Sequence, residues 1–179
     1  MAIDISNGVT PSYLINADAN STLTINNTNG SPNLVSGGTV VFQTNSAHSY
    51  SGNTFGNYTL TKQGSEVLTI TSSHNRYGVT NINSGQLTFT NDLQLGIVPL
   101  AAQTGWININ EGRLNANATI SLNTNRGIAL GSSAGIGRGF ISAGSGFTFT
   151  IPSIIANNGV GADSLVVLGS GAVSYTHLT

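Results

Sequence analysis

This 179-residue chain has no cysteine and very little charge: five Lys and Arg stand against six Asp and Glu, and only 6% of residues are charged, against about 25% in an ordinary soluble domain. Each shortage excludes something. Without thiols there is no disulfide framework and no thiolate metal site. Five cations spread from Lys62 to Arg138 cannot form the clustered footprint that displaces counterions from nucleic acid, nor a polybasic membrane patch. A charge-driven disordered tail is equally out of keeping. No apolar run approaches the length of a membrane-spanning segment, so no transmembrane helix is expected. The opening Met1-Ala-Ile-Asp-Ile-Ser has neither a charged n-region nor an apolar h-region, so a signal peptide is expected to lie outside this chain.

Small uncharged polar residues fill the deficit. Glycine numbers 23, and Asn, Ser and Thr are each about as common, while 39% of the chain is hydrophobic and rich in Ile, Leu and Val. Such a chain can bury a core but must hydrogen-bond its backbone almost everywhere, and glycine makes ordering it expensive. Helical periodicity is nearly absent. Short period-two runs replace it: Ser21-Thr-Leu-Thr-Ile-Asn26, Thr39-Val-Val-Phe-Gln43, Tyr58-Thr-Leu-Thr-Lys62, Val67-Leu-Thr-Ile-Thr71, Gln86-Leu-Thr-Phe-Thr90, Trp106-Ile-Asn-Ile-Asn110, Phe147-Thr-Phe-Thr-Ile151 and Ser164-Leu-Val-Val-Leu168. Gly, Asn and Ser clusters separate them, and Pro11, Pro32, Pro99 and Pro152 are expected outside strand centres.

Internal repetition chooses among sandwich, barrel and solenoid. Asn81-Ile-Asn-Ser-Gly-Gln-Leu87 and Asn108-Ile-Asn-Glu-Gly-Arg-Leu114 share N-I-N-x-G-x-L, and the offset from 81 to 108 is close to one solenoid coil. Ile and Leu would point inward, Gly would permit the bend, and Asn would face outward or stack at a corner. Stacked coils place equivalent Asn residues about 4.8 Å apart, in reach of amide ladders. Stacked like charges would repel, so a charge-poor, amide-rich composition suits the arrangement. A strict six-residue aliphatic register is missing, which favours a right-handed parallel β-helix over a left-handed hexapeptide helix. The expected fold is therefore all-β, a right-handed parallel β-helix (β-solenoid) of about six to eight coils, a fragment with open ends. Residues 92–104 are expected to form a longer loop, with a helical turn, projecting between coils.

The run from Leu60-Thr-Lys-Gln-Gly-Ser-Glu-Val-Leu to Val79-Thr-Asn-Ile-Asn-Ser-Gly-Gln-Leu87 resembles the autotransporter-associated β-strand repeat. Lys62, Gly64, Leu68, Asn75, Tyr77, Gly78, Thr80, Ile82, Gly85 and Leu87 fall on its pattern positions. Glu66 replaces the second Gly of that pattern, and Gly78 stands alone where a Gly pair is usual. Residues 125–157 are similar to the spacer coils of such proteins, and 165–171 looks like the start of another copy. The resemblance implies an exported passenger segment over 1–172, on the bacterial cell surface or secreted, with no catalytic residues, cofactor or metal. Its expected partners are neighbouring coils of the full-length chain and a surface glycan or protein, with no nucleic acid and no membrane insertion. Val173-Ser-Tyr-Thr-His-Leu178 reads as a translated sequencing-library transposon end, so 173–179 is expected to be non-native, the end of a truncated gene fragment.

Parallel β-helices also include polysaccharide lyases and glycan-binding modules, the alternative reading. Lyase chemistry needs clustered carboxylates, or Asp with Lys or Arg, on one face. Asp4, Asp18, Glu66, Asp92, Glu111 and Asp163 are scattered. Asp92, Glu111 and Arg113 could approach across coils, but solvated surface charge is the expectation. His74-Asn-Arg76 is expected at a structural turn, His48 in a loop, and no His pair has ligand spacing. Gly135-Ile-Gly-Arg-Gly139 lacks the Lys-Ser/Thr end and following helix of a phosphate loop. Gly159-Val-Gly-Ala-Asp163 occurs once, whereas calcium nonapeptides stack in copies. The Thr-x-Thr pairs begin at Thr22, Thr59, Thr69, Thr88 and Thr148, with no constant spacing, which argues against an ice-binding face. Trp106, Tyr50, Tyr58 and Tyr77 are expected to pack rather than to stack on sugars.

Overall fold

The computed structural model describes residues 38–52, 54–159 and 161–179, and, upstream, the backbones of the strands Ala2–Asp4, Leu14–Ala17, Thr22–Asn26 and Asn33–Ser36. Pro11, Pro32, Asp18 and Val160 lie outside the described residues, and no side chain before residue 38 is described. Every strand pairing among the described residues is parallel, and the chain stacks as a β-solenoid of about six turns. The one helical element described is the 3-10 turn Asp92–Leu95.

Three sheets form the walls. The first runs Ala2–Asp4, Thr22–Asn26, Thr39–Gln43, Thr59–Gln63, Thr80–Ile82, Gln103–Ile109, Arg126–Leu130 and the C-terminal half of Thr148–Asn157. The second stacks His48–Tyr50, Val67–Ile70, Gln86–Phe89, Arg113–Ala116, Arg138–Ala143 and Ser164–Leu168. The third wall starts as Leu14–Ala17, Asn33–Ser36, Thr54–Gly56 and Asn75–Arg76. Beyond it, the chain at 93–97 lies against 74–76: the His74 amide donates to the Leu93 carbonyl and the Ile97 amide to the Arg76 carbonyl. Ile120–Ser121, the N-terminal half of Thr148–Asn157 and Ala172–Leu178 pair in turn. Thr148–Asn157 thus turns a corner, with a register shift between Ile151 and Ile154. Pro152 sits at that shift, inside a strand rather than outside one. A bend is where a strand can spare an amide donor.

Period-two patterning produces the core. In Thr39–Gln43, Val40 and Phe42 are buried between half-exposed neighbours. Ile82, Ile107, Ile109, Ile128 and Ile155 of the first sheet pack with Leu68, Leu87, Leu114 and Ile141 of the second in one continuous cluster. The two N-I-N-x-G-x-L segments lie one over the other, with Asn81 opposite Asn108 and Leu87 opposite Leu114. The Asn108 amide donates to Asn81 Oδ1 at 2.9 Å, the expected ladder. Coil length is not constant. Thr22 pairs Thr39, Thr39 pairs Thr59 and Asn81 pairs Asn108, each coil longer than the one named before it. Irregular steps in sequence therefore do not preclude stacking. Thr22, Thr39 and Thr59 share one row, and Thr69 and Thr88 another.

The corners explain the glycines. Gly85 turns with φ +64, whereas in the next coil the positive φ falls one residue earlier in the register, on Glu111 at +60, and Gly112 stands where Gly85 did. A Cβ on Gly112 would meet the Ile82 carbonyl at 2.5 Å, so the second Gly answers to close approach rather than to backbone angle.

Three of the five cations, Lys62, Arg76 and Arg126, are buried. Lys62 closes a corner by donating to the carbonyls of Gln63, Gly64 and Ser84 at 2.8, 2.9 and 3.2 Å. Burial pushes its ammonium down to about 8, with Glu66 pulling the other way. Arg76 donates to the Gly78, Val79 and Leu95 carbonyls and to the Thr80 hydroxyl. Arg126 reaches the Leu95 and Gly96 carbonyls at 3.2 and 2.8 Å and both Asp92 carboxylate oxygens at 3.0 and 3.3 Å. The 92–96 turn is thus held between two buried guanidiniums from the coils on either side. Asn91 and Gln94 cap it reciprocally. The first part of the expected loop is packed wall, and its outward part is 97–102, where Leu100 is 95% exposed.

His74-Asn-Arg76, expected at a structural turn, instead enters a wall of the solenoid with His74 and Arg76 buried. Asn75–Arg76 is a short strand, so alternation sends both neighbours of Asn75 inward. Tyr50 meets the His74 ring edge-on at 5.7 Å, and Arg76 lies 5.5 Å from the Tyr58 ring centre. Neither His74 ring nitrogen has a hydrogen-bonding partner. Burial, then the Arg76 charge, pushes His74 down to about 3.

Two outcomes follow for stability. Arg126→Met strands Asp92 and the Gly96 carbonyl, while the Leu95 carbonyl keeps Arg76, and about 3–5 kcal/mol is expected to be lost in denaturant titrations. His74 stays neutral in the fold down to about pH 3, whereas in the unfolded chain it protonates near 6.5. The unfolded state therefore binds more protons in that window, and stability falls as pH drops from about 6.5 toward 3. Denaturation midpoints between about pH 7 and pH 4 are expected to slope less in His74→Phe, because Tyr50, Tyr58 and Arg76 around it do not titrate there. An unchanged slope would assign the acid sensitivity elsewhere.

Candidate functional site

The corner between the first and second sheets carries two shallow clefts, one on each side of the 110–112 turn. Each N-I-N-x-G-x-L copy crosses it: Ile buried, Asn outward, a tight turn, then Leu buried on the second sheet.

On the first-sheet side, a cleft of about 330 Å³ is lined by Asn81, Asn83, Asn108, Asn110, Ser132, Ser133 and Asn158, with Gly131 at its floor. No charged or apolar side chain lines it. Asn81 and Asn108 form the ladder, and Asn158 donates to the Gly131 carbonyl at 3.1 Å. The register puts Asn110 directly beyond Asn83, because Ile109 pairs Ile82. The side-chain amides of Asn83 and Asn110 make no hydrogen bond among the described residues.

On the second-sheet side, a cleft of about 350 Å³ is lined by Ser65, Val67, Gln86, Glu111, Arg113 and Phe140, with Gly85 and Gly112. Arg113 donates to Gln86 Oε1 at 3.3 Å across one coil step. Glu111 is paired away from the cleft, to Arg138 at 2.9 Å. It also accepts from the Arg138 amide at 3.1 Å, while its own amide donates to the Arg138 carbonyl at 2.7 Å. Arg138 lies 5.6 Å from the Phe140 ring centre.

Asp4 and Asp18 have no described side chains, and the acids among the described residues do not converge. Asp92 is bound to Arg126 within the third wall, Glu111 to Arg138 at the corner, and Asp163 accepts from the Gly137 amide at 2.6 Å. Glu66 is exposed, with the Ser65 hydroxyl at 3.4 Å. Gly159 and Gly161 present carbonyls to the Asn157 amide, so 157–163 ties itself together. Gly135-Ile-Gly-Arg-Gly139 leads into the strand Arg138–Ala143, with Ile136 78% exposed. His48 begins a strand and is half-buried, which lowers its pKa. His177 and Tyr175 lie exposed on Ala172–Leu178, paired parallel to Thr148–Asn157. Tyr50 and Tyr58 are buried, and the nearly buried Trp106 packs edge-on against the partly exposed Tyr77 at 4.9 Å. Among the described residues no three His, Asp or Glu could hold a metal ion, and no helix is long and apolar enough to cross a membrane.

Sequence reasoning found the ladder asparagines but not the cleft, because its far wall, Ser132, Ser133 and Asn158, comes from later coils whose register no repeat announces. The positive φ of Glu111 is likewise hidden, since its repeat position suggests that Gly112 makes the turn. A left-handed conformation costs a non-glycine residue roughly 1–2 kcal/mol, more than an exposed ion pair of about 0.2–1 kcal/mol returns. Glu111→Gly is accordingly expected to be more stable than Glu111→Ala by about 0.5–1 kcal/mol in urea titrations. An Ala variant as stable as the Gly variant would refute the turn assignment.

No family model, no curated protein and no solved structure matches this chain.

Proposed function

We propose that the chain is a stalk segment of a secreted or surface-displayed bacterial protein, similar in role to an autotransporter passenger, acting through adhesion rather than catalysis. The supporting observation is the disposition of its charges. Lys62, Arg76 and Arg126 face inward and hold turns, and Asp92, Glu111 and Asp163 are each engaged by a neighbouring coil. Among the described residues, what remains outward is a surface dominated by Thr, Asn and Ser, with Glu66 and the Arg138–Glu111 pair as its few charges, on a rod of about six turns, or roughly 30 Å at ~4.8 Å per coil. The 97–102 segment, with Ile97 and Leu100 exposed above a turn anchored from both sides, is the contact surface.

The test is display of the full chain on a bacterial surface through an unrelated anchor. Adhesion to matrix-coated or glycan-coated plates is expected to exceed the anchor-only control. It is expected to fall when 97–102 is replaced by an equal-length Gly-Ser segment that leaves the melting temperature unchanged. Display without gain in adhesion would overturn the adhesive reading. Release of unsaturated uronates from an acidic polysaccharide by the purified chain would put a lyase in its place.

A further inference from the structure

We infer that the amide cleft at the corner of the first sheet is a binding site for a neutral polysaccharide, laid along the solenoid axis with about one sugar ring per coil. Four features of the lining select that ligand class. It is entirely amide and hydroxyl, with no cation for a phosphate or uronate, no carboxylate for a metal ion, and no apolar side chain for a lipid or aromatic ligand. Asn and Ser each offer a donor and an acceptor, which is what paired sugar hydroxyls require.

The geometry adds direction. Asn81 with Asn83, then Asn108 with Asn110, stand on successive coils in register, and Ser132, Ser133 and Asn158 continue the lining beyond them. Parallel strands are about 4.8 Å apart, comparable with the length of one pyranose ring, so a chain along the axis meets the two amide pairs in succession, and beyond them, where Ala129 and Gly131 hold those register positions, the polar groups of Ser132, Ser133 and Asn158. A chain across the axis would meet one pair and leave the others unused. The cleft volume, about 330 Å³, is at the lower end of small-ligand sites and suits the exposed edge of a short oligosaccharide.

The positioning is already in place. The Asn81–Asn108 bond fixes one column, buried Ile82 and Ile109 fix the backbone between columns, and Asn158 is tied to Gly131. Asn83 and Asn110 have no bond to give up, so a ligand would gain their donors and acceptors without breaking contacts within the fold. Binding here rests on the adhesive reading and gives it a ligand class. It is separable from the 97–102 contact, which lies on another part of the coil.

The experiment is a titration of the full chain, ¹⁵N-labelled, with neutral hexasaccharides of β-1,4-glucan, α-1,4-glucan, β-1,3-glucan, xylan and mannan type, and with a hexauronate, followed through the Asn side-chain amide resonances. At least one neutral oligomer is expected to shift the Asn83 and Asn110 amides at sub-millimolar to millimolar concentration. The affinity is expected to fall roughly tenfold or more in Asn83→Ala/Asn110→Ala, whose melting curve is expected to match the parent because neither side chain bonds within the fold. Asn83→Asp/Asn110→Asp, which keeps shape and removes the NH₂ donors, is expected to lose binding similarly. No shift with any neutral oligomer at millimolar concentration would overturn the site. So would equal affinity in the double variants, or binding of the hexauronate alone through the Arg113 cleft. A fall in adhesion of the 97–102 replacement with intact oligosaccharide binding leaves this site standing.

Discussion

Interstrand hydrogen bonding in the parallel sense is the constraint from which the rest of this molecule follows. Each coil both donates to and accepts from the coil on either side, so a side chain is surrounded mainly by the same wall of the coils above and below. Whatever is placed at one row position is repeated at strand spacing. Apolar rows then become a continuous core, amide rows become ladders, and rows of like charge are intolerable. The scarcity of charge is thus the composition a stacked fold demands.

The cations that remain are used where stacking alone fails. At the corners carbonyls converge from two coils, and Lys62 gathers three of them. The third wall is shortest at Asn75–Arg76 and is continued by a 3-10 turn, whose Leu95 carbonyl accepts from both Arg76 and Arg126. A long side chain with several donors bridges the gap between an irregular coil and a regular one, and Asp92 offsets one of the two buried charges. His74 has no such service and remains an unpaired group amid aromatic rings, the least well satisfied point of the described interior.

Much of the architecture was legible because period two and the N-I-N-x-G-x-L repeat are direct images of strand and coil. Asn81 over Asn108 and Leu87 over Leu114 are that repeat made physical. What was not legible depended on partners distant in the chain. Arg76 looks like turn polarity until Leu95 and Thr80 are seen beside it. Residues 92–96 look like an excursion until Arg126 is found beyond them. Glu111 looks like a spacer residue until its backbone angle is known. Strands as short as Asn75–Arg76 and Ile120–Ser121 carry too little pattern to be read alone, and their existence rests on neighbours already in place. The amide cleft was half visible for the same reason: two of its rows repeat and the others do not.

The unequal coils have a consequence for how such a rod diversifies. The short coil from Thr22 to Thr39 and the long one from Asn81 to Asn108 both return the chain to its own row, so the surplus is discharged sideways at corners and leaves the axial rise untouched. Reach and decoration are therefore independent variables: duplication of a coil lengthens the shaft without altering its flanks, and enlargement of a corner ornaments the flank without altering the shaft.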